Sequence, residues 1–252
     1  MKLLVLGGTH HVGRAVVETA LERGDEVTTL NRGLSRVPAP GVRGLAADRR
    51  DAEAVRAALG RQEWEAVIDT WAWAPRVVRD SARLLAGRTG HYGYVSSRGV
   101  YRWPWPPRAD EHAPLVDGDP ASEVDADYAA AKRGGELAVQ EAFGERGLLA
   151  RAGMILGPYE DVGRIPWWLR RLEKGGRVLA PAPTGIHDAD VGAALAAGLT
   201  CRSLRDTMAD TWAWLRAEGD PPPRPDAPAP DTWFDPAAER DVLARLTQSG
   251  GR

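Results

Sequence analysis

Apolar positions along the chain fall into two alternating patterns through Pro158. Lys2 to Leu6 is a short apolar run that ends in glycines, and Val12, Ala15, Val16, Ala20 and Leu21 then recur at helical spacing until Arg23-Gly24-Asp25 stops the helix. Glu26 to Leu30 predicts a second strand and Val42 to Ala46 a third, after which Asp51 caps a helix through Leu59. Ala66 to Asp69, Tyr92 to Ser96 and Leu148 to Ala152 predict three more strands. Helices from Pro75 to Leu85 and from Val124 to Phe143 lie between them. Strands separated by helices of this length pair in parallel through crossovers, so the pattern predicts an α/β fold with a doubly wound parallel sheet.

Beyond Pro158 the pattern changes. A helix is expected from Ile165 to Glu173, a short strand at Val178-Leu179, helices over Val191 to Ala197 and Leu204 to Arg216, and a last helix after Pro236. Six prolines in residues 220–231 exclude a regular element there and predict an extended spacer. The division expected is a sheet domain over 1–158, a small C-terminal lobe with helices over 159–219, and spacer plus terminal helix over 220–252.

Composition narrows the classes. With 43% apolar and 27% charged residues the chain is neither disordered nor fibrous. A net charge of −2 argues against nucleic acid as a partner and against membrane-surface binding. Cys201 is the single cysteine, so no internal disulfide forms, no zinc or other metal site is expected, and a reducing, cytoplasmic setting is. The apolar run Leu3 to Leu6 is too short for a signal core or a membrane span.

Four motifs carry chemistry. Gly7-Gly8-Thr9-His10-His11-Val12-Gly13 follows a strand and opens a helix, where glycines let the backbone approach a pyrophosphate and the helix N-terminus offers free amides. Asn31-Arg32 ends the second strand, where an acid would select NAD; its absence, with an arginine present, favours NADP, with NAD the alternative. Tyr128 and Lys132 stand four apart on one helix face, and a nearby ammonium favours the phenolate of a tyrosine acting as acid or base. The chain writes arginine 30 times and lysine three times, so a lysine at 132 points to a need for a compact ammonium. Ser97, ending the fifth strand, supplies a hydroxyl that can hydrogen-bond a substrate oxygen.

Together Gly7-Gly8-Thr9 to Gly13, Ser97, Tyr128 and Lys132 resemble the extended short-chain dehydrogenase/reductase superfamily, in its NAD-dependent epimerase/dehydratase branch. The resemblance implies a Rossmann-type fold, a small-molecule substrate, and hydride transfer at a carbon bearing oxygen. It implies Tyr128 as the acid/base, Lys132 as the holder of the nicotinamide ribose, and Ser97 as the group orienting the reacting oxygen. It also places Asp48-Arg49 near adenine, Thr70 near the cofactor ribose and Gly153 near the nicotinamide, and implies a homodimer through the helices at 75–86 and 124–143. The Asp-Glu pair that sugar-nucleotide dehydratases carry after the hydroxyl is replaced by Arg98-Gly99, which disfavours dehydration and leaves an oxidoreductase or epimerase: ketone reduction, alcohol oxidation or epimerisation.

Ten tryptophans stand against two phenylalanines. Trp71, Trp73, Trp103, Trp105 and Trp167 all follow predicted core strands or open the lobe, as candidate walls for an apolar or ring-containing substrate. A lobe this short for the family leaves one alternative, a non-catalytic dinucleotide-binding or interaction module.

Overall fold

The structure, a computed structural model, describes residues 1–33, 39–124, 127–180, 189–221 and 235–249. The first compact unit runs to Ile155 and is rejoined at Asp190. In it β1 (Lys2–Leu6), α1 (His11–Glu22), β2 (Glu26–Asn31), β3 (Arg43–Ala46), α2 (Ala52–Leu59), β4 (Trp64–Asp69), α3 (Pro75–Leu85), β5 (Thr89–Ser97), α4 (Tyr128–Phe143) and β6 (Gly147–Ala152) follow one another. Every pairing among these strands is parallel, in the order β3-β2-β1-β4-β5-β6. This is the doubly wound, Rossmann-type sheet that the sequence predicts.

The order reverses between β1 and β4, the switch point outside whose carboxyl ends folds of this kind place their ligand crevice. Burial on both faces explains why β1 is nearly all apolar rather than alternating. Leu4, Leu6, Leu30 and Val67 pack with Leu59, Val78, Leu85, Val139 and Phe143. Leu3, Val5 and Val27 pack with Val17 and Ala20 of α1 on the opposite face.

Local chemistry sets the helix ends. Asp51 accepts from the amides of Glu53 and Ala54, both at 3.0 Å, a cap worth about 1 kcal/mol. Pro75 opens α3 at a position where no amide is needed. The sequence pattern starts the next helix at Val124, but α4 begins at Tyr128. Asp127 accepts from the Ala130 amide at 2.9 Å and sets that start, while Val124 is exposed.

The second unit begins at Leu156 and carries α5 (Arg164–Glu173), α6 (Gly192–Ala196), α7 (Leu204–Glu218) and α8 (Pro236–Ser249). Glu160, 1% exposed, caps α5 by accepting from the amides of Arg164 and Ile165. Arg170 on α5 donates to Leu215 O on α7 and to Asp220. Arg171 donates to Glu239 of α8, whose other oxygen accepts from Leu179 N at 3.0 Å. The expected strand at Val178-Leu179 is therefore irregular backbone held by a side chain. From residue 222 on, the proline-rich spacer lies outside the described residues. Among the described residues no helix is long and apolar enough to cross a membrane.

Candidate active site

The glycine loop leaves β1 at the crevice. Gly7 N donates to Leu30 O at 2.9 Å, and Gly7 and Gly8 take φ values of 125° and 94°, which L side chains rarely adopt. Gly13 seats α1 on the loop: a Cβ there would lie 2.7 Å from Gly8 N and 3.0 Å from Gly8 Cα. A Cβ on Gly7 would collide with Thr70 Oγ1, and that hydroxyl donates to Leu6 O at 3.1 Å. Thr70 thus borders the loop from β4. His10 stands at the N-cap of α1 without a side-chain cap bond, and His11 Nε2 lies 3.4 Å from Ile155 O, just past Gly153.

At the end of β2, Asn31 Oδ1 accepts from Gly33 N at 2.8 Å and shapes the turn, while Arg32 is exposed. Asp48 is exposed beyond β3 and accepts from Arg50 N at 2.9 Å. Arg49 turns the other way. It is 7% exposed and makes a bidentate pair with Asp69 at 2.6 and 2.8 Å, plus a bond to Ser81 Oγ at 2.9 Å. Its side chain is thus a buried partner of Asp69 rather than a surface group facing a ligand.

Asp69 is the hub of a buried network. Its carboxylate also accepts from Tyr92 OH at 2.6 Å and from Trp71 N at 2.8 Å. Burial works against this charge, but the Arg49 guanidinium outweighs it and holds the carboxyl below the usual range. Burial, and then Asp69, pushes the Tyr92 phenol well above its ordinary value, so it stays a donor.

The same Trp71 peptide reaches Lys132. Trp71 O accepts from Lys132 Nζ at 2.6 Å and from Tyr94 OH at 3.1 Å, and Val95 O accepts from Lys132 Nζ at 2.6 Å. The ammonium is 3% exposed and sits 4.8 Å from the Tyr94 ring centroid, a cation–π contact. Burial lowers its pKa to about 8, against the opposing pull of Asp69. Such depth requires a close approach of α4 to β5: a Cβ on Gly135 would lie 2.5 Å from Tyr94 OH.

Tyr128, half exposed on the first turn of the same helix, faces the end of β5. A Cβ on Gly99 would lie 3.3 Å from Ser97 Oγ and 3.9 Å from Tyr128 Cε1, so hydroxyl and phenol ring flank one backbone position. Ser97 Oγ accepts from Gly99 N at 3.0 Å, which leaves its proton to donate elsewhere. Arg98 lies on the other side, its Cδ 3.5 Å from where a Gly153 Cβ would be and its guanidinium 4.1 Å from the Trp105 ring centroid.

The tryptophans take separate places. Trp103 and Trp105 pack edge to face at 5.1 Å, and Trp105 Nε1 donates to Tyr101 O at 3.0 Å. Trp73 is exposed beyond β4. The partly buried Trp71 ring packs on the core, with the Arg49 and Arg50 guanidiniums 5.1 and 5.6 Å from it. Trp167 stacks edge to face on Trp168 within the second unit.

Sequence reasoning missed Asp69, Tyr92, Tyr94 and Glu136. Glu136, fully buried, accepts from Ser96 Oγ, Arg133 and Arg151, and Arg151 also donates to Tyr101 OH. One signal was available: an acid that closes an otherwise apolar strand, as Asp69 does, must find a buried cation.

A parallel sheet of this order, with a glycine loop at its switch point, defines a doubly wound, Rossmann-type α/β fold. No family profile matches the chain. A 3-diazoavenalumate denitrifying reductase from a Streptomyces species is 31% identical over 274 residues, covering 93% of this chain and 88% of the relative. The chain belongs to the extended short-chain dehydrogenase/reductase superfamily, in the epimerase/dehydratase branch, and is an enzyme of the NAD(P)-dependent type. The match extends over both units, so the small lobe is shared with a reductase.

Solved structures agree on the fold. The Bordetella bronchiseptica enzyme WbmH in complex with NAD+ superposes with a TM-score of 0.68 at 15% identity, over 86% of this chain and 99% of that one. WbmG from the same organism, with NAD and UDP, gives 0.68 at 14%, over 90% and 99%. The Thermotoga maritima UDP-glucose 4-epimerase with UDP-glucose gives 0.56 at 17%, over 71% and 65%.

Proposed function

We propose that the protein is an NADPH-dependent reductase of an aromatic substrate, working through Ser97, Tyr128 and Lys132. The observation that carries the reading is the placement of α4. Its first turn offers Tyr128 beside Ser97, and its second buries Lys132 against the carbonyls that end β4 and β5.

The loop fits a dinucleotide, because Gly7, Gly8 and Gly13 allow a tight turn between β1 and α1 in which a Cβ would strike Thr70, Thr29 or the Gly8 backbone, and the N-terminus of α1 favours an anion. Residues 7–13 would hold the pyrophosphate, Thr70 and Lys132 the nicotinamide ribose, Asp48 the adenine, and Gly153 the nicotinamide edge. Arg32, exposed at the end of β2 beside Asn31 instead of an acid, favours the 2′-phosphate of NADP.

When bound there, reduced nicotinamide supplies hydride. Tyr128 donates its phenolic proton to the substrate oxygen, and Ser97 donates a hydrogen bond to the same atom. The Lys132 ammonium steadies the phenolate that remains. A ketone gains hydride on carbon and a proton on oxygen. On a diazo compound, the class named for the Streptomyces relative, the same hydride and proton are added as dinitrogen leaves.

Calorimetry tests the cofactor assignment: NADPH should bind at least about tenfold tighter than NADH, and Arg32→Asp should reverse the order. Equal binding of both by the unaltered protein would remove the NADP assignment. Turnover of ketone and diazo panels, unchanged in Tyr128→Phe, would remove the mechanism.

A further inference from the structure

Tyr94 takes no part in the transfer of hydride or proton, yet three observations place it against Lys132. Side chains alternate along a strand, so Tyr92 and Tyr94 of β5 turn to the same face, where both are buried among residues of α3 and α4. The centre of the Tyr94 ring lies 4.8 Å from Lys132 Nζ. Its hydroxyl anchors that ring by donating at 3.1 Å to Trp71 O, the same carbonyl that accepts from Lys132 Nζ at 2.6 Å. Glycine weakens a helix interior, but Gly135 in the middle of α4 is what lets the helix pass so close: a Cβ there would meet Tyr94 OH at 2.5 Å and Tyr94 Cζ at 2.7 Å.

We infer that Tyr94 is a positioning residue for the reaction, its ring face holding the Lys132 ammonium in place and in its charged form. The inference rests on the reductase reading and adds a residue to that same site. An ammonium has three N–H donors. Trp71 O and Val95 O take two of them, and among the described residues the third meets no partner, so it is the one left for the cofactor. At 3% exposure water does little for this charge, and the charged neighbours do not replace it. Asp69 at the end of β4 favours the ammonium, but Arg49 opposes it from within the same ion pair, and Glu136 on α4 is shared by Arg133 and Arg151. The phenols of Tyr92 and Tyr94 on β5 stay neutral, because burial pushes both well above their ordinary range, and Tyr128 on the first turn of α4 is half exposed. An aromatic face attracts a cation without burying a second charge, and does so most strongly where water is excluded.

The chain holds three lysines, Lys2, Lys132 and Lys174, so NMR of protein labelled with carbon-13 at lysine Cε resolves the titration of Lys132 with neither cofactor nor substrate present. The reference is the unaltered protein, in which Lys132 should titrate near pH 8. Tyr94→Phe keeps the ring and should hold that midpoint within about 0.3 pH unit. Trifluorinated phenylalanine in place of Tyr94 keeps the shape but strips the ring face of its negative potential, and Tyr94→Leu removes the ring. Both should bring the midpoint about one pH unit below that of Tyr94→Phe. The alkaline limb of kcat/KM should move with the midpoint in each variant, which a loss of stability alone would not produce. The fluorinated variant decides the matter if the leucine variant fails to fold. A midpoint that stays within about 0.3 pH unit in the fluorinated variant, or one that drops equally in Tyr94→Phe, overturns the inference. Failure of NADPH to bind the unaltered protein, read by calorimetry, overturns the reductase reading instead.

Discussion

Replacing Asp69 with Asn removes one charge from a pair that is almost wholly enclosed, with side-chain exposures of 6% for Arg49 and 0% for Asp69. Arg49 then keeps its charge with Ser81 Oγ, a neutral amide and the Trp71 ring as partners, and its buried Nε has no hydrogen-bond partner to begin with. Breaking a buried pair from one side costs about 3–5 kcal/mol, because the remaining ion stays desolvated. In a chain of this size each kcal/mol lowers Tm by roughly 2–4 °C, so Asp69→Asn should melt about 6–20 °C lower. Arg49→Met should lose a similar amount. Asp69→Asn/Arg49→Met, which buries neither charge, should lose less than the sum of the two by at least about 2 kcal/mol. Urea melts followed by tryptophan fluorescence read all four proteins. Single variants that lose less than about 1 kcal/mol, or effects that simply add, would refute the buried hub. The single variant has a second signature. Asp69 raises the Lys132 pKa and Arg49 lowers it, so Asp69→Asn should move it below about 8.

Two further outcomes follow from the site. Gly13→Ala places a Cβ 2.7 Å from Gly8 N, backbone that cannot rotate away, so NADPH affinity should fall by about tenfold or more while the fold persists, as read by calorimetry and circular dichroism. On the proposed mechanism Lys132 works as an ammonium, so kcat/KM should decline as pH rises through about 8, a limb that Lys132→Arg should carry to higher pH. Stability should respond in the opposite direction. The folded pKa lies below 10.5, so between about pH 8 and 10.5 the unfolded chain holds more protons, and this group makes stability rise with pH across that window; Lys132→Met should flatten the rise.

The sheet was readable because hydrophobic period and strand length are local properties. Leu3 to Leu6 and Glu26 to Leu30 announce themselves as doubly buried strands without reference to anything distant. Boundaries failed where one cap outweighed the pattern, as when Asp127 started α4 at Tyr128. Ser97, Tyr128 and Lys132 stood out by residue type and spacing. The Arg49–Asp69 pair did not, because it joins the turn after β3 to the end of β4 and depends on the register that sets Leu6 beside both Leu30 and Asp69. The tryptophans were visible as a count, but their roles diverge. The Trp71 backbone meets Asp69 through its N–H and Lys132 through its C=O, whereas Trp103 and Trp105 pack on each other, with Trp105 against the Arg98 guanidinium.

In the proposed reduction Tyr128 supplies the proton and bound NADPH the hydride, and single-turnover transfer from NADPH deuterated at the reactive carbon, in the unaltered protein and in Tyr128→Phe, separates these two contributions. Deuterium should enter the product, and the phenylalanine variant should transfer it about 10²–10⁴-fold more slowly with unchanged NADPH affinity. Transfer at an undiminished rate in Tyr128→Phe, or product free of deuterium, would contradict it.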